Sequence, residues 1–270
     1  MRSVFFVSDR TGITTEALGI ALLTQFKDIE IRKELIPFVD TKLKADQAII
    51  KINNRYQQDK VRPIVLTSII DPLIREQFDL SYAMHIDFFE AFIPSLEKEL
   101  KQNATSVIGK SHGISDEAKY YNRIDAIDFA LINDDGVSNK NFLEADVILI
   151  GVSRVGKTPT CLYLAIHYGI KAANYPLAEN DLLNDHIPKI LTPYHNKLFG
   201  LTIELSRLQH IRSNRIPNSH YAELNTCKFE IEAAERIMQN YDIPYLNSSY
   251  KSIEEISAAI MQSINLKRKF

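Results

Sequence analysis

Residues 151–158, Gly-Val-Ser-Arg-Val-Gly-Lys-Thr, carry glycine, lysine and threonine at the spacing G-x-x-x-x-G-K-[ST] of a phosphate-binding loop. The chemistry accounts for the spacing. Gly151 and Gly156 let the backbone N–H groups of Val152, Ser153, Arg154 and Val155 turn inward around a di- or triphosphate with no Cβ in the way. Lys157 reaches the terminal phosphates, and Thr158 is the expected metal position, setting its hydroxyl on Mg²⁺. The N-terminus of the helix that follows adds partial positive charge at the same point.

Three further groups of residues could do chemistry. Ser8-Asp9-Arg10-Thr11-Gly12 offers hydroxyls and a carboxylate just after an apolar run. That place at a strand's carboxyl end suits a second phosphate or a phosphorylated side chain, although the same residue types also make ordinary turns. Arg207, Arg212 and Arg215 follow the phosphate loop in the order of the lid arginines of small phosphoryl-transfer kinases, where they neutralise charge in flight. A solvated basic face is the plainer alternative. Mg²⁺ also needs a carboxylate beyond Thr158, and Asp134, Asp135 and Glu204 are open as candidates. Ser111-His112-Gly113 and the Lys267-Arg268-Lys269 tail read as loop and solvated terminus.

The elements that must position these residues alternate strand and helix. Val147-Ile148-Leu149-Ile150 has the length and β-branching of a strand buried on both faces, and residues 160–168 continue at helical spacing to Gly169. Upstream, strands are expected at 4–7, 29–38, 63–67 and 84–88. Helices are expected from Thr14 or Thr15, with Ala17, Leu18, Ala21, Leu22 and Phe26 buried, and over 41–58, from the Asp71-Pro72 cap, and over 89–100. A helix over 117–132 stops at Asn133-Asp134-Asp135-Gly136. Downstream, strands are expected at 171–175, 198–203 and 243–246, with 176–197 as loop. Helices are expected over 204–213, 221–241 and 252–264, the last with Ser252 and Glu255 as a capping box. The fold class is therefore α/β, with mostly parallel sheets covered by helices. An N-terminal α/β domain over 1–135 precedes a phosphate-loop, kinase-like domain over 136–270.

Composition excludes several classes. With 45% hydrophobic and 24% charged residues in 270, the chain is an ordinary globular protein. A net charge of -2 argues against general binding of nucleic acid or anionic membranes, and no apolar run approaches the roughly 18 residues of a membrane span. Two cysteines, Cys161 and Cys227, cannot build a disulfide framework and lack metal spacing, so both are expected as core thiols. Met1-Arg2-Ser3 leads straight into a strand without the apolar core of a signal peptide. A cytoplasmic location is the expectation.

Segments spread along the chain resemble one family. They are Ser8–Thr14, Arg123–Phe129, Asp134-Asp135-Gly136, Gly151–Tyr163, Ala172–Pro176, Phe199–Ile203 and Ser252–Glu255. The family is that of the bifunctional kinase/phosphorylase regulators of phosphoenolpyruvate synthase and of pyruvate, phosphate dikinase. Gly156 and Ala-Asn-Tyr-Pro are similar to the synthase branch; the dikinase branch usually has serine at that glycine. Arg10 departs from a usual small residue. Asn133 stands where histidine commonly precedes Asp-Asp-Gly, which moves acid/base weight to the two aspartates.

The resemblance implies ADP-dependent phosphorylation of a threonine on the synthase, which inactivates it. It also implies phosphate-dependent removal of that group, which releases pyrophosphate. The implied cofactors are ADP, inorganic phosphate and Mg²⁺. The implied partner is phosphoenolpyruvate synthase as protein substrate, with a homo-oligomer, a dimer, as the assembly, no nucleic acid and no membrane. Lys157, Asp134, Asp135 and Asp9 become the candidate catalytic residues, and Arg207, Arg212, Arg215, Ser8 and Thr11 the candidate phosphate contacts. Two other readings stand beside it: a small-molecule kinase of the nucleoside-monophosphate or shikimate type, and a non-catalytic nucleotide-dependent inhibitor.

Overall fold

A computed structural model of the chain describes residues 1–105, 117–134 and 141–269. The expectations at Ser111-His112-Gly113, Asp135 and Gly136 lie outside the described residues. The chain divides into two compact units, Met1–Gly113 and Ile114–Phe270. The division thus falls before the helix over 117–132 and not at 135/136. The reason is packing: Ala126, Phe129 and Ala130 of that helix belong to the second unit's core.

The first unit comprises β1 (Arg2–Ser8), α1 (Ile13–Leu23), β2 (Ile31–Ile36), α2 (Lys42–Asp59), β3 (Ile64–Ser68), α3 (Pro72–Arg75), β4 (Met84–Asp87) and α4 (Phe88–Leu100). Its four strands lie in the order β2-β1-β3-β4, and every neighbouring pair is parallel. Val4, Phe5, Phe6 and Val7 are fully buried, as a central strand with helices on both faces requires. Asp71 caps α3 by accepting from Leu73 N–H (2.9 Å), with Pro72 in the first turn.

One helix turns a different face inward than expected. In α1 the buried residues are Thr15 and Gly19, while Ala17, Ala21 and Leu22 are exposed, as is Phe26 beyond the helix end. Gly19 lies against the ring of Phe6, where any Cβ would collide, so the helix approaches β1 on its small-residue side. The residue ahead of its first turn is Gly12, not Thr14 or Thr15.

The second unit comprises α5 (Glu117–Ile132), β5 (Val147–Gly151), α6 (Lys157–Tyr168), β6 (Ala172–Pro176), α7 (Glu179–Leu183), β7 (Leu198–Thr202), α8 (Leu205–Arg215), α9 (Leu224–Asn240), β8 (Tyr245–Asn247) and α10 (Ile253–Ser263). The short helix α7 interrupts the stretch expected as loop, because Leu182 is drawn into the core. The strand order is β6-β5-β7-β8, again parallel throughout. β5 is buried over its whole length, and Ser252 and Glu255 form the expected reciprocal cap on α10. Cys161 and Cys227 are both buried and unpaired. Among the described residues no helix is long and apolar enough to cross a membrane.

Candidate active site

The turn from β5 to α6 has the backbone a phosphate cradle needs. Gly151, Arg154 and Gly156 all take positive φ, at 144°, 80° and 94°. Gly151 is fixed by contact as well as by conformation, because a Cβ there would drive into the carbonyl oxygen of Leu201 on β7. Arg154 adopts the left-handed region without being glycine, a local strain of the kind that clusters at ligand sites. Gly156 ends the turn and precedes the first residue of α6.

Lys157 is the first residue of α6 and only 4% exposed. Its Nζ donates to the carbonyls of Gly151 (2.9 Å) and Val152 (2.8 Å), so the buried ammonium is held within the loop itself. Beside the loop lies a cavity of about 270 Å³, at the lower edge of the roughly 300–1,000 Å³ usual for small-ligand sites. Arg154, Lys157 and Arg215 give its lining three cations, and Thr158 and Asn174 supply polar groups. That charge matches a diphosphate better than any neutral ligand. A larger cavity in the first unit, about 490 Å³, is walled mainly by apolar side chains such as Val4, Phe26 and Ile29, and offers no such match.

Thr158 is tied to a carboxylate from another element. Its Oγ1 donates to Asp134 Oδ1 (2.8 Å), and Asn174 Nδ2 on β6 donates to the same Oδ1 (2.6 Å) and to Thr158 Oγ1 (3.1 Å). Asp134 arrives there because α5 ends two residues earlier, at Ile132, against β6. Asn133 is 1% exposed, its Nδ2 donates to Phe129 O (2.9 Å), and its own carbonyl accepts Asn174 N–H (2.9 Å). Asn133 therefore closes the helix and has no solvent-facing acid/base group to offer. One carboxylate plus one hydroxyl, open to phosphate oxygens and water, is a donor set that suits Mg²⁺ and falls short of an all-protein cage. The described residues contain no cluster of three or more His, Cys, Asp or Glu that could hold a metal alone. Of the other metal candidates, Glu204 is engaged by the Tyr250 hydroxyl (2.8 Å), and Asp135 lies outside the described residues.

The three arginines separate. Arg215 lines the phosphate-loop cavity. Arg207 is exposed, with its guanidinium 6.0 Å from the ring centre of Tyr250. Arg212 is fully buried, which overturns its reading as a lid arginine. Its Nη2 donates to Ser153 O (3.2 Å) and to Glu230 Oε2 (2.6 Å), its Nη1 to Tyr221 O (3.1 Å), and its guanidinium stacks 4.1 Å from the Tyr221 ring centre. The Tyr221 hydroxyl in turn bonds Ser153 Oγ (2.9 Å). Arg212 and Tyr221 thus brace the phosphate loop from behind.

In the first unit the turn after β1 is closed by its own bonds. Asp9, which is buried, accepts Ile70 N–H (3.0 Å). Ser8 Oγ accepts from Arg10 N–H (3.2 Å) and from Ser68 Oγ (3.2 Å), and Ser68 Oγ is also bonded to Thr15 Oγ1. The carbonyls of Ser8 and Arg10 take the N–H groups of Val39 (2.9 Å) and Phe38 (2.8 Å). The Arg10 side chain is exposed, as is Thr11.

Asn174 and Tyr221 were not among the sequence candidates. A polar residue in the middle of a buried strand was the available signal for Asn174. Tyr221 gives none, since it meets Ser153 across 68 residues.

A protein from Laribacter hongkongensis is 53% identical over 270 residues, covering 100% of this chain and 98% of the relative. Others from Neisseria meningitidis serogroup C and Legionella pneumophila strain Corby are 48% identical over 269 residues and 46% over 268, each covering at least 98% of both chains. All three are provisionally named phosphoenolpyruvate synthase regulatory proteins. The model of the kinase/pyrophosphorylase family matches residues 4–261, nearly the whole sequence, and this chain belongs to that family.

Proposed function

We propose that the protein switches a phosphoenolpyruvate synthase off and on by moving a phosphoryl group to and from one of its threonines. In the forward arm the threonine Oγ attacks the β-phosphorus of ADP, the bond from that phosphorus to the bridging oxygen breaks, and AMP leaves. The threonine proton passes to a carboxylate, for which Asp135 is the candidate, since Asp134 Oδ1 is already engaged by Thr158 and Asn174. In the reverse arm an oxygen of inorganic phosphate attacks the phosphothreonine. The P–Oγ bond breaks, Oγ regains a proton and pyrophosphate leaves.

The observation that carries the reading is the electropositive cradle with Lys157 inside it and Thr158 joined to Asp134 at its edge. Backbone N–H groups, Lys157, Arg154 and Arg215 would hold the phosphates, and Thr158 with Asp134 would hold Mg²⁺. The metal, when bound, would neutralise phosphate charge. Family membership and the relatives' names supply the substrate class. The small-molecule kinase alternative leaned on the arginines, and the burial of Arg212 removes much of that support.

The reverse arm offers a selective test. Phosphorylated synthase given this protein and inorganic phosphate is expected to release one pyrophosphate per phosphothreonine lost. Release of inorganic phosphate alone, as a simple phosphatase would give, contradicts the phosphorolysis.

A further inference from the structure

We infer that Asn174 is a positioning residue for the metal: it presents Asp134 and Thr158 to Mg²⁺ in the hydrogen-bonding state that binding requires. This rests on the nucleotide reading above and adds a residue to it.

The argument is one of hydrogen-bond accounting. Asn174 is 1% exposed and lies on β6, in register with Leu149 of the phosphate-loop strand. Its Nδ2 donates both to Asp134 Oδ1 (2.6 Å) and to Thr158 Oγ1 (3.1 Å). A threonine hydroxyl has one proton and two lone pairs. With Asn174 occupying one lone pair and the proton given to Asp134 at 2.8 Å, a single lone pair of Thr158 Oγ1 remains, directed elsewhere. The same arithmetic applies to the carboxylate. Oδ1 accepts from both Thr158 and Asn174, and among the described residues Oδ2 accepts no hydrogen bond.

A rotatable hydroxyl and a rotatable carboxylate are thereby each left with a defined free acceptor. The backbone strengthens the arrangement, because Asn174 N–H holds the carbonyl of Asn133 (2.9 Å), the residue just before Asp134. One residue of β6 therefore grips the end of α5 by its main chain and the candidate metal ligands by its side chain. Removing a group that orients metal ligands typically weakens metal binding by roughly 10–100-fold without removing a ligand. The cradle for the phosphates is built from the loop backbone and Lys157, and Asn174 lines the same cavity without being part of the loop.

The test separates metal from nucleotide. ADP binding is measured by calorimetry on the whole protein across a Mg²⁺ series, for the unaltered chain and for Asn174→Ala, with a thermal melt of each. The expected result is a smaller loss of ADP affinity without Mg²⁺ than with it. The Mg²⁺ concentration that half-maximally strengthens binding should rise roughly 10–100-fold. Should Asn174→Ala fail to fold, Asn174→Ser is measured instead, with the same expected shift. An unmoved Mg²⁺ midpoint, or loss of ADP affinity to the same degree with and without Mg²⁺, overturns the inference while leaving the nucleotide site standing. Absence of ADP binding by the unaltered protein overturns the nucleotide reading, and the inference with it.

Discussion

Arg212 and Arg215 sit one turn apart on α8 and are put to different uses. Arg212 is enclosed, paired with Glu230 and bonded to the main chain of Ser153 and Tyr221, whereas Arg215 is exposed at the cavity. Removing one member of a buried pair leaves the other charge without compensation, at a cost of about 3–5 kcal/mol. Arg212→Ala is therefore expected to lower unfolding stability by that order in urea titrations. Arg215→Ala should stay within about 0.5 kcal/mol yet weaken ADP binding about tenfold, the loss of one charge-assisted hydrogen bond. Equal effects of the two variants on stability would contradict the assignment. The sequence reading ended this helix at residue 213, short of Arg215, whereas α8 runs on to Arg215 and carries both arginines. Spacing could not tell them apart, because their difference comes from Glu230 and Tyr221, 18 and 9 residues further along the chain.

At the scale of elements, the site is made where α5, β5, β6 and α6 meet. β5 was legible as an apolar run that can only be buried, and the glycine–lysine–threonine spacing marked the turn after it. The arrival of α5 was not legible. Its apolar residues predicted a helix, but its assignment to the second core depends on Ala126, Phe129 and Ala130 finding their neighbours across a long connection. The α1 stripe failed for a related reason: periodicity ranks apolar residues, while the close approach at Phe6 selects the small ones. Packing under the loop also has a consequence for pH. Burial, reinforced by the nearby Asp134 carboxylate and opposed by Lys157, pushes the Cys161 thiol on α6 far above its ordinary value of 9.0. The folded state then keeps the proton that the unfolded state gives up. Stability from this group is complete below pH 9.0 and falls as pH rises above it. Stability measured across pH 8–10.5 (roughly, bracketing the free thiol) should show this decline, and Cys161→Ala should flatten it. An unchanged slope in the variant would remove the thiol as its cause.

Across the whole molecule the same strand order appears twice. In each unit the first strand lies between the second and the third, with the fourth at the edge. Such sheets offer a crevice beyond the carboxyl end of the first strand, where the order reverses. The two turns at that position differ in what they do with it. After β5 the backbone opens through Gly151, Arg154 and Gly156 around a lysine, whereas after β1 the side chains of Ser8 and Asp9 are spent on neighbouring groups. The doubled α/β pattern was readable from alternating strands and helices, and the contrast between the turns was readable only in part, from the presence of one lysine motif and the absence of another. The account rests on the cradle at 151–158 delivering the outer phosphate of ADP to a protein side chain. Its most direct test is to incubate purified phosphoenolpyruvate synthase with ADP labelled in the β-phosphate and this protein, or its Lys157→Ala variant, and to locate the label by mass spectrometry. The account predicts label on a synthase threonine with the unaltered protein and none with the variant. Label transferred equally well by the Lys157→Ala protein, or synthase left unlabelled while inhibited, would contradict it.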